Sequence, residues 1–161
     1  MNVVVRAAQD EDADHMASIL NEIVSIGGLT SHEGHFDGAR IRREFISPQR
    51  GISCFVAVAG SAVRGFQSLE WSDPDWPGED RLPADWALIS TYVKPGHHRL
   101  GIGRALFERT VAAAAIAGVC FIVANIRLKN AGAQTFYDRL GFEDDKRSAH
   151  AVSKYFSPRR R

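Results

Sequence analysis

Cysteine is scarce in this chain. Its 161 residues include two, Cys54 and Cys120, each inside an apolar β-like run. Two buried, reduced thiols are expected there instead of a disulfide framework, and the expected compartment is the cytoplasm. The two cysteines also lack zinc-ligand spacing, and the histidines are scattered apart from the His97-His98 pair, so no metal site is expected. An excess of one charge is missing as well. Twenty Lys plus Arg against 19 Asp plus Glu leave a net charge of +1, which gives no electrostatic case for a nucleic-acid partner. The short basic end, Pro158-Arg159-Arg160-Arg161, reads as a solvated charge run. No apolar run approaches the roughly 20 residues that span a bilayer, so no membrane association is expected. The opening MNVVVRAAQDEDAD has no charged-then-apolar export pattern. What is present is the composition of an ordinary globular protein, at a length that fits one domain over residues 1–161 with a real core.

Hydrophobic spacing divides the chain. A β-branched run at 3–6 is expected to form an edge or first strand. Met16, Ile19, Leu20 and Ile23 recur at helical spacing and predict an amphipathic helix over 12–25, capped by Asp10 or Asp12 and ended by Gly27-Gly28. A polar loop, LTSHEGHFD, follows at 29–37. Ile41, Phe45 and Ile46 place a second short helix at 37–46, stopped before Pro48. Runs at 52–59 and 62–71 predict a hairpin around Gly60-Ser61. The Pro- and Asp-rich stretch 72–83 is a loop of the kind that carries function. A strand returns at 84–93. The Ala-rich helix 101–117 is expected to bury a face of Ile102, Leu106, Ala113 and Ile116. The continuous apolar run 119–126 fits a fully buried strand, 130–140 a helix closed by Gly141, and 149–156 a last strand. The order β-α-α-β-β-β-α-β-α-β-β, with a βαβ crossover through 86–93, 101–117 and 119–126, predicts an α/β fold with a mixed central sheet and helices on both faces.

The stretch HRLGIGRALF, residues 98–107, carries the most chemistry. A strand, then Gly-x-Gly, then a helix presents backbone N–H groups that have no partner inside the helix. The helix dipole adds about half a positive charge at that end. Gly101 and Gly103 therefore point to a pyrophosphate site. Its candidate residues are His98, Arg99, Leu100, Gly101, Ile102, Gly103, Arg104 and Ala105. Downstream, LKNAGAQTFYDRLGF holds Asn130, Ala133, Tyr137, Gly141 and Phe142.

Together with YVKPGHHRLGIGRALF, that second stretch resembles the GNAT superfamily of acetyl-CoA-dependent N-acetyltransferases. The family typically reads Gln/Arg-x-x-Gly-x-Gly/Ala at its pyrophosphate loop and Asn-x-x-Ala-x-x-x-Tyr-x-x-x-Gly-Phe about 30 residues later. The second pattern is matched throughout. The first is matched at Gly101 and Gly103 but opens with His98. The resemblance covers most of the chain and implies a GNAT fold, with acetyl-CoA as co-substrate and a primary amine as acceptor. It also implies a β-strand, near Tyr92 and Val93, that parts from its parallel neighbour and pairs with the pantetheine arm. Tyr137 is implied as the proton donor to the departing thiolate, and Asn130 as a residue that orients the helix or contacts the cofactor arm. A phenol with an ordinary pKa near 10 is protonated at neutral pH, which suits that role. Family relatives are often homodimers, with the C-terminal strand as an expected contact.

Residues 86–100 contain no Asp or Glu to act as a base. Phosphinothricin-type relatives carry a Glu on this strand, where Leu88 stands here. The remaining candidates are Glu70, Asp85, Glu33, His32, His35 and a water relay, with Glu70 carried forward as the catalytic residue. Glu33, His35 and Ser90 are expected to recognise the acceptor, a small molecule of the amino-acid type. Two other readings stay open: a non-catalytic acyl-CoA sensor and a protein or peptide N-acetyltransferase. A dinucleotide-binding oxidoreductase is disfavoured, because Leu106 replaces the third glycine of that fingerprint and no acid falls in 119–126. A Walker-type loop is excluded by the missing Gly-Lys-Ser/Thr.

Overall fold

The computed structural model describes residues 2–98 and 100–159. Seven strands form one mixed sheet: β1 (Val3–Ala7), β2 (Gly51–Ala59), β3 (Ala62–Trp71), β4 (Trp86–Val93), β5 (Phe121–Arg127), β6 (Glu143–Arg147) and β7 (Ala151–Phe156). They lie in the order β1-β2-β3-β4-β5-β7-β6. Among the described residues, only β4 and β5 run parallel. The hairpin between β2 and β3 turns at Gly60, whose φ of +65° suits a residue without Cβ. Helices α1 (Ala13–Ile26), α2 (Gly38–Ile41), α3 (Ile102–Ala117) and α4 (Ala131–Leu140) complete the fold. The mixed sheet matches the expected fold class.

Strand alternation decides which helix meets which face. Phe66, Cys54 and Val56 meet the buried stripe of α1 (Met16, Ile19, Leu20 and Ile23) together with Ile41 and Phe45. Leu69, Ile89, Ile122 and Ala124 belong to the opposite cluster, with Phe107 and Ala114 of α3 and Tyr137 of α4.

Two expectations need correction. The inner face of α3 is Ile102, Leu106, Phe107, Thr110 and Ala114; Ile116 is 89 % exposed. An i,i+4 series through a threonine and an alanine is hard to see in an Ala-rich helix. The second helix is split: α2 has one turn, and residues Arg42–Ile46 form a wider π-helical turn closed by Ser47 N–H on the Arg42 carbonyl at 2.8 Å. The last strand, expected as a contact between copies, is paired on both edges, by β5 and β6. Cys54 is buried and Cys120 half-buried, both free.

Candidate active site

β4 and β5 are hydrogen-bonded at Trp86↔Phe121, Ala87↔Ile122 and Leu88↔Val123, and nowhere further along β4. From Ile89 on, β4 keeps only its antiparallel partner β3, through Gly65↔Val93. The two parallel strands have parted. Lys94 N–H bonds the Arg64 carbonyl and Ser72 N–H bonds the Trp86 carbonyl, so even-numbered residues of β4 address β3. By alternation, Thr91 and Val93 turn their peptide groups toward the gap. The main chain of Tyr92 addresses β3 instead, and its ring packs on Phe66 and Phe45. Burial pushes the Tyr92 hydroxyl up to about 12, against opposing hydrogen bonds from Thr30 and Ser90.

At the mouth of the gap stands the start of α3. Gly101 is its N-cap, with φ +78° and ψ 7°. A Cβ there would meet nothing within 4 Å, so the strain of the backbone, not crowding, selects glycine. Gly103 serves a different purpose: a Cβ would lie 2.6 Å from Cε1 of Phe136, so this glycine lets α4 close against α3. The Ala105 N–H is already bonded to the Gly101 carbonyl at 3.0 Å. It therefore drops out of the expected anion cradle, which leaves the N–H groups of Ile102, Gly103 and Arg104 at the helix start. His98, Leu100 and Arg104 are exposed around it. Arg99, expected beside the phosphates, lies outside the described residues. Open space beside a positive-φ glycine and three amides aimed outward fit a diphosphate.

Tyr137 lies on the α3/α4 side of the sheet, with its residue surface 5 % exposed. Its hydroxyl is 2.8 Å from the hydroxyl of Thr91. Burial holds the phenol above its ordinary value, only partly offset by the bond to Thr91. Thr91 also accepts from Gln67 Nε2 at 2.9 Å. Gln67 is fully buried, and its Oε1 has no partner among the described residues. Asn130 is committed twice. Its Oδ1 caps α4 by accepting from Ala133 N–H at 3.0 Å, and its Nδ2 donates to the Leu29 carbonyl at 3.1 Å. It orients the helix that carries Tyr137.

The other side of β3 and β4 forms a cleft of about 260 Å³. Glu70, Ser68 and Ser90 floor it, with Arg50, Glu44 and His32 among its walls. Glu70 is paired in register with Leu88, so the two side chains share one face. A carboxylate on β3 therefore stands beside the position that Leu88 occupies on β4. Burial raises the Glu70 carboxyl above the usual carboxylate range, opposed by the charge of Arg50. Glu33 and His35 are exposed and do not line the cleft; their carbonyls accept from Arg40 at 3.0 and 3.2 Å. His32 does line it, wedged edge-on against Phe36 and Phe45, with its imidazole lowered by burial. Asp85 is exposed at the start of β4. Sequence reading passed over Thr91, Gln67 and Arg50. Only Gln67 left a signal, as an amide at a core-facing position of an apolar strand.

An acetyltransferase (GNAT) domain model matches residues 50–144, more than half of the chain. The chain belongs to the GNAT acetyltransferase family. Its enzymes acetylate amines at the expense of acetyl-CoA, and this GNAT chain is an acetyl-CoA-dependent N-acetyltransferase. Solved structures share the fold. A GCN5-related N-acetyltransferase from Kribbella flavida has a TM-score of 0.80 at 22% identity, over 96% of this chain and 97% of that one. The protein yncA from Salmonella typhimurium, solved with its cofactor acetyl-CoA, has a TM-score of 0.76 at 20% identity, over 100% and 96%. A ribosomal-protein-alanine N-acetyltransferase from Brucella melitensis has a TM-score of 0.74 at 22% identity, over 96% and 99%. No curated protein sequence matches the chain. Among the described residues no helix is long and apolar enough to cross a membrane, and no group of three or more His, Cys, Asp or Glu could hold a metal ion.

Proposed function

We propose that this GNAT enzyme moves an acetyl group from acetyl-CoA to the primary amine of a small molecule of the amino-acid type. Tyr137 acts as the general acid and Glu70 as the general base. The observation that carries the reading is the parting of β4 from β5 after Leu88, with the Tyr137 hydroxyl anchored on Thr91 at its border. The yncA structure holds acetyl-CoA on the same fold, which supports the gap as the place of the cofactor arm. Bound acetyl-CoA supplies the thioester whose carbonyl carbon the amine attacks.

The protein's own groups then have separate tasks. Ile102, Gly103 and Arg104 N–H groups anchor the diphosphate, and Val93 holds the arm in strand-like register. Glu70 takes the amine proton at its carboxylate, from the cleft side of the sheet. Its raised pKa makes it a stronger base than a solvated glutamate. Tyr137 keeps its proton at Oη, on the other side of the gap, for the departing sulfur. Acid and base stand on opposite faces of β3–β4.

A cleft of about 260 Å³ is at the small end of ligand sites and favours a small acceptor over a folded one. Release of free thiol from acetyl-CoA across a panel of amines tests the reading. Acceptor-dependent release supports it. Tight coenzyme A binding without such release would instead make the chain an acyl-CoA sensor.

A further inference from the structure

The cleft beside Glu70 holds charges of both signs that do not neutralise one another. Glu44 is matched by Arg40, with Nε to Oε2 at 2.5 Å. Glu70 makes no hydrogen bond or ion pair among the described residues. Arg50 stands next to Gly51, which is paired in register with Glu70. Its nearest carboxylate, Asp73, is 3.9 Å away, beyond hydrogen-bond distance. Its Nε is buried and has no partner among the described residues. The charge of Arg50 is felt by Glu70, yet the two are not in contact. Arg43 adds a second, exposed guanidinium to the same cleft.

An under-bonded guanidinium and an under-bonded carboxylate, facing one cleft without closing on each other, are complementary to a molecule that carries both charges. The sheet order fixes which end goes where. Ser90 is on β4 at the gap, Glu70 is one strand away on β3, and Arg50 is two strands away beside β2. Strands are about 4.8 Å apart, so an acceptor reaching from the gap to Arg50 crosses Glu70 on the way. We propose that Arg50 is the anion-reading residue of the acceptor cleft: the acceptor is a zwitterion whose amine sits at Glu70 and whose carboxylate, a few bonds away, is bound by the Arg50 fork. A guanidinium binds a carboxylate bidentately, which positions the amine as well as holding the molecule. Arg50 is thereby a specificity-determining residue.

This rests on the acetyltransferase reading, and the test separates the two. L-amino acids and their C-terminal amides are compared as acceptors by thiol release from acetyl-CoA. The same compounds are titrated calorimetrically into the chain saturated with coenzyme A. Acids are expected to exceed their amides by about 10- to 100-fold in kcat/KM, mainly through KM, the range of one charge-assisted pair. Arg50→Gln should bring the acid-to-amide ratio near one, and Arg50→Lys should restore part of it. That ratio does not move with a general loss of stability. Amides accepted as well as acids by the wild type, or a ratio unchanged in Arg50→Gln, would overturn the proposal even where acetylation is seen. Acids that bind through Arg50 without any thiol release would overturn the transferase reading and leave the anion subsite standing.

Discussion

The hydroxyls of Thr91 and Tyr137 meet at 2.8 Å, 46 positions apart in the chain. Thr91 is simultaneously the acceptor of Gln67 Nε2 at 2.9 Å. The contact joins α4 to the part of β4 that has left β5, so the candidate proton donor is fixed to the border of the cofactor gap. Two rings hold it from the sides, Phe136 and Phe142, each with centroids 5.0 Å from that of Tyr137.

Replacing Tyr137 by Phe keeps those ring contacts and removes the proton. Turnover should fall by about 10²-fold, the lower range for loss of a general acid. Coenzyme A affinity, read by calorimetry, should change less than about twofold, because the anchoring amides of α3 are untouched. Equal losses in turnover and affinity would instead make Tyr137 a packing residue. Since burial raises the phenol, its ionisation near 295 nm should be absent through the ordinary tyrosine range around pH 10.

The buried polar chain beneath it has a stability signature. Thr91→Val removes the acceptor of Gln67 and leaves a fully buried amide, whose Oε1 is already unpartnered, without any bond. The expected loss is about 1–3 kcal/mol in urea unfolding. Replacing both Gln67 by Leu and Thr91 by Val should cost less than Thr91→Val alone, because the Tyr137 hydroxyl then loses its partner but the Gln67 amide is no longer orphaned with it. A double mutant that is worse than the single one would show that shape, not hydrogen bonding, dominates there.

The fold was legible wherever one face of an element is buried and the other wet. Met16, Ile19, Leu20 and Ile23 marked α1 and are all buried. β6 reads Glu-Asp-Asp-Lys-Arg and is exposed at every position, so the element order carried a second final strand but no alternation assigned residues to it. It exists because the edge of β7 offers unpaired peptide groups. The site divides in the same way. Gly101 and Tyr137 lie in short local motifs. Thr91 and Gln67 matter through a cross-strand pair and a helix brought in from far along the chain. Arg50 reads in the sequence like any turn cation, and only the register Gly51↔Glu70 brings it beside the carboxylate.

The two glycines of the anion loop should fail differently. Gly101→Ala meets no atom but must adopt φ +78°, a cost of roughly 1–2 kcal/mol that no change in α4 relieves. Gly103→Ala places a methyl against the ring of Phe136 and should lose about 1 kcal/mol of stability through overpacking. Phe136→Leu should recover the Gly103→Ala loss and leave that of Gly101→Ala in place. Thermal unfolding of the three single variants and the two doubles with Phe136→Leu checks the coupling.

The pH profile should report Glu70. Acceptor attack needs the carboxylate form, so kcat/KM rises with pH through the Glu70 pKa and levels off above it. Burial raises that pKa, so the acid limb should lie above the usual value of 4.5. Arg50 works in the opposite direction, lowering the pKa by its charge. Removing it should therefore move the limb to still higher pH. Arg50→Gln followed with an amide acceptor, which gives Arg50 no carboxylate to bind, isolates this electrostatic effect. Glu70→Gln should lower kcat/KM by about 10²-fold or more and abolish the limb altogether. A limb that persists unchanged in Glu70→Gln would transfer the base role to His32, the other titratable group of the cleft with a perturbed pKa, whose imidazole burial lowers from 6.5.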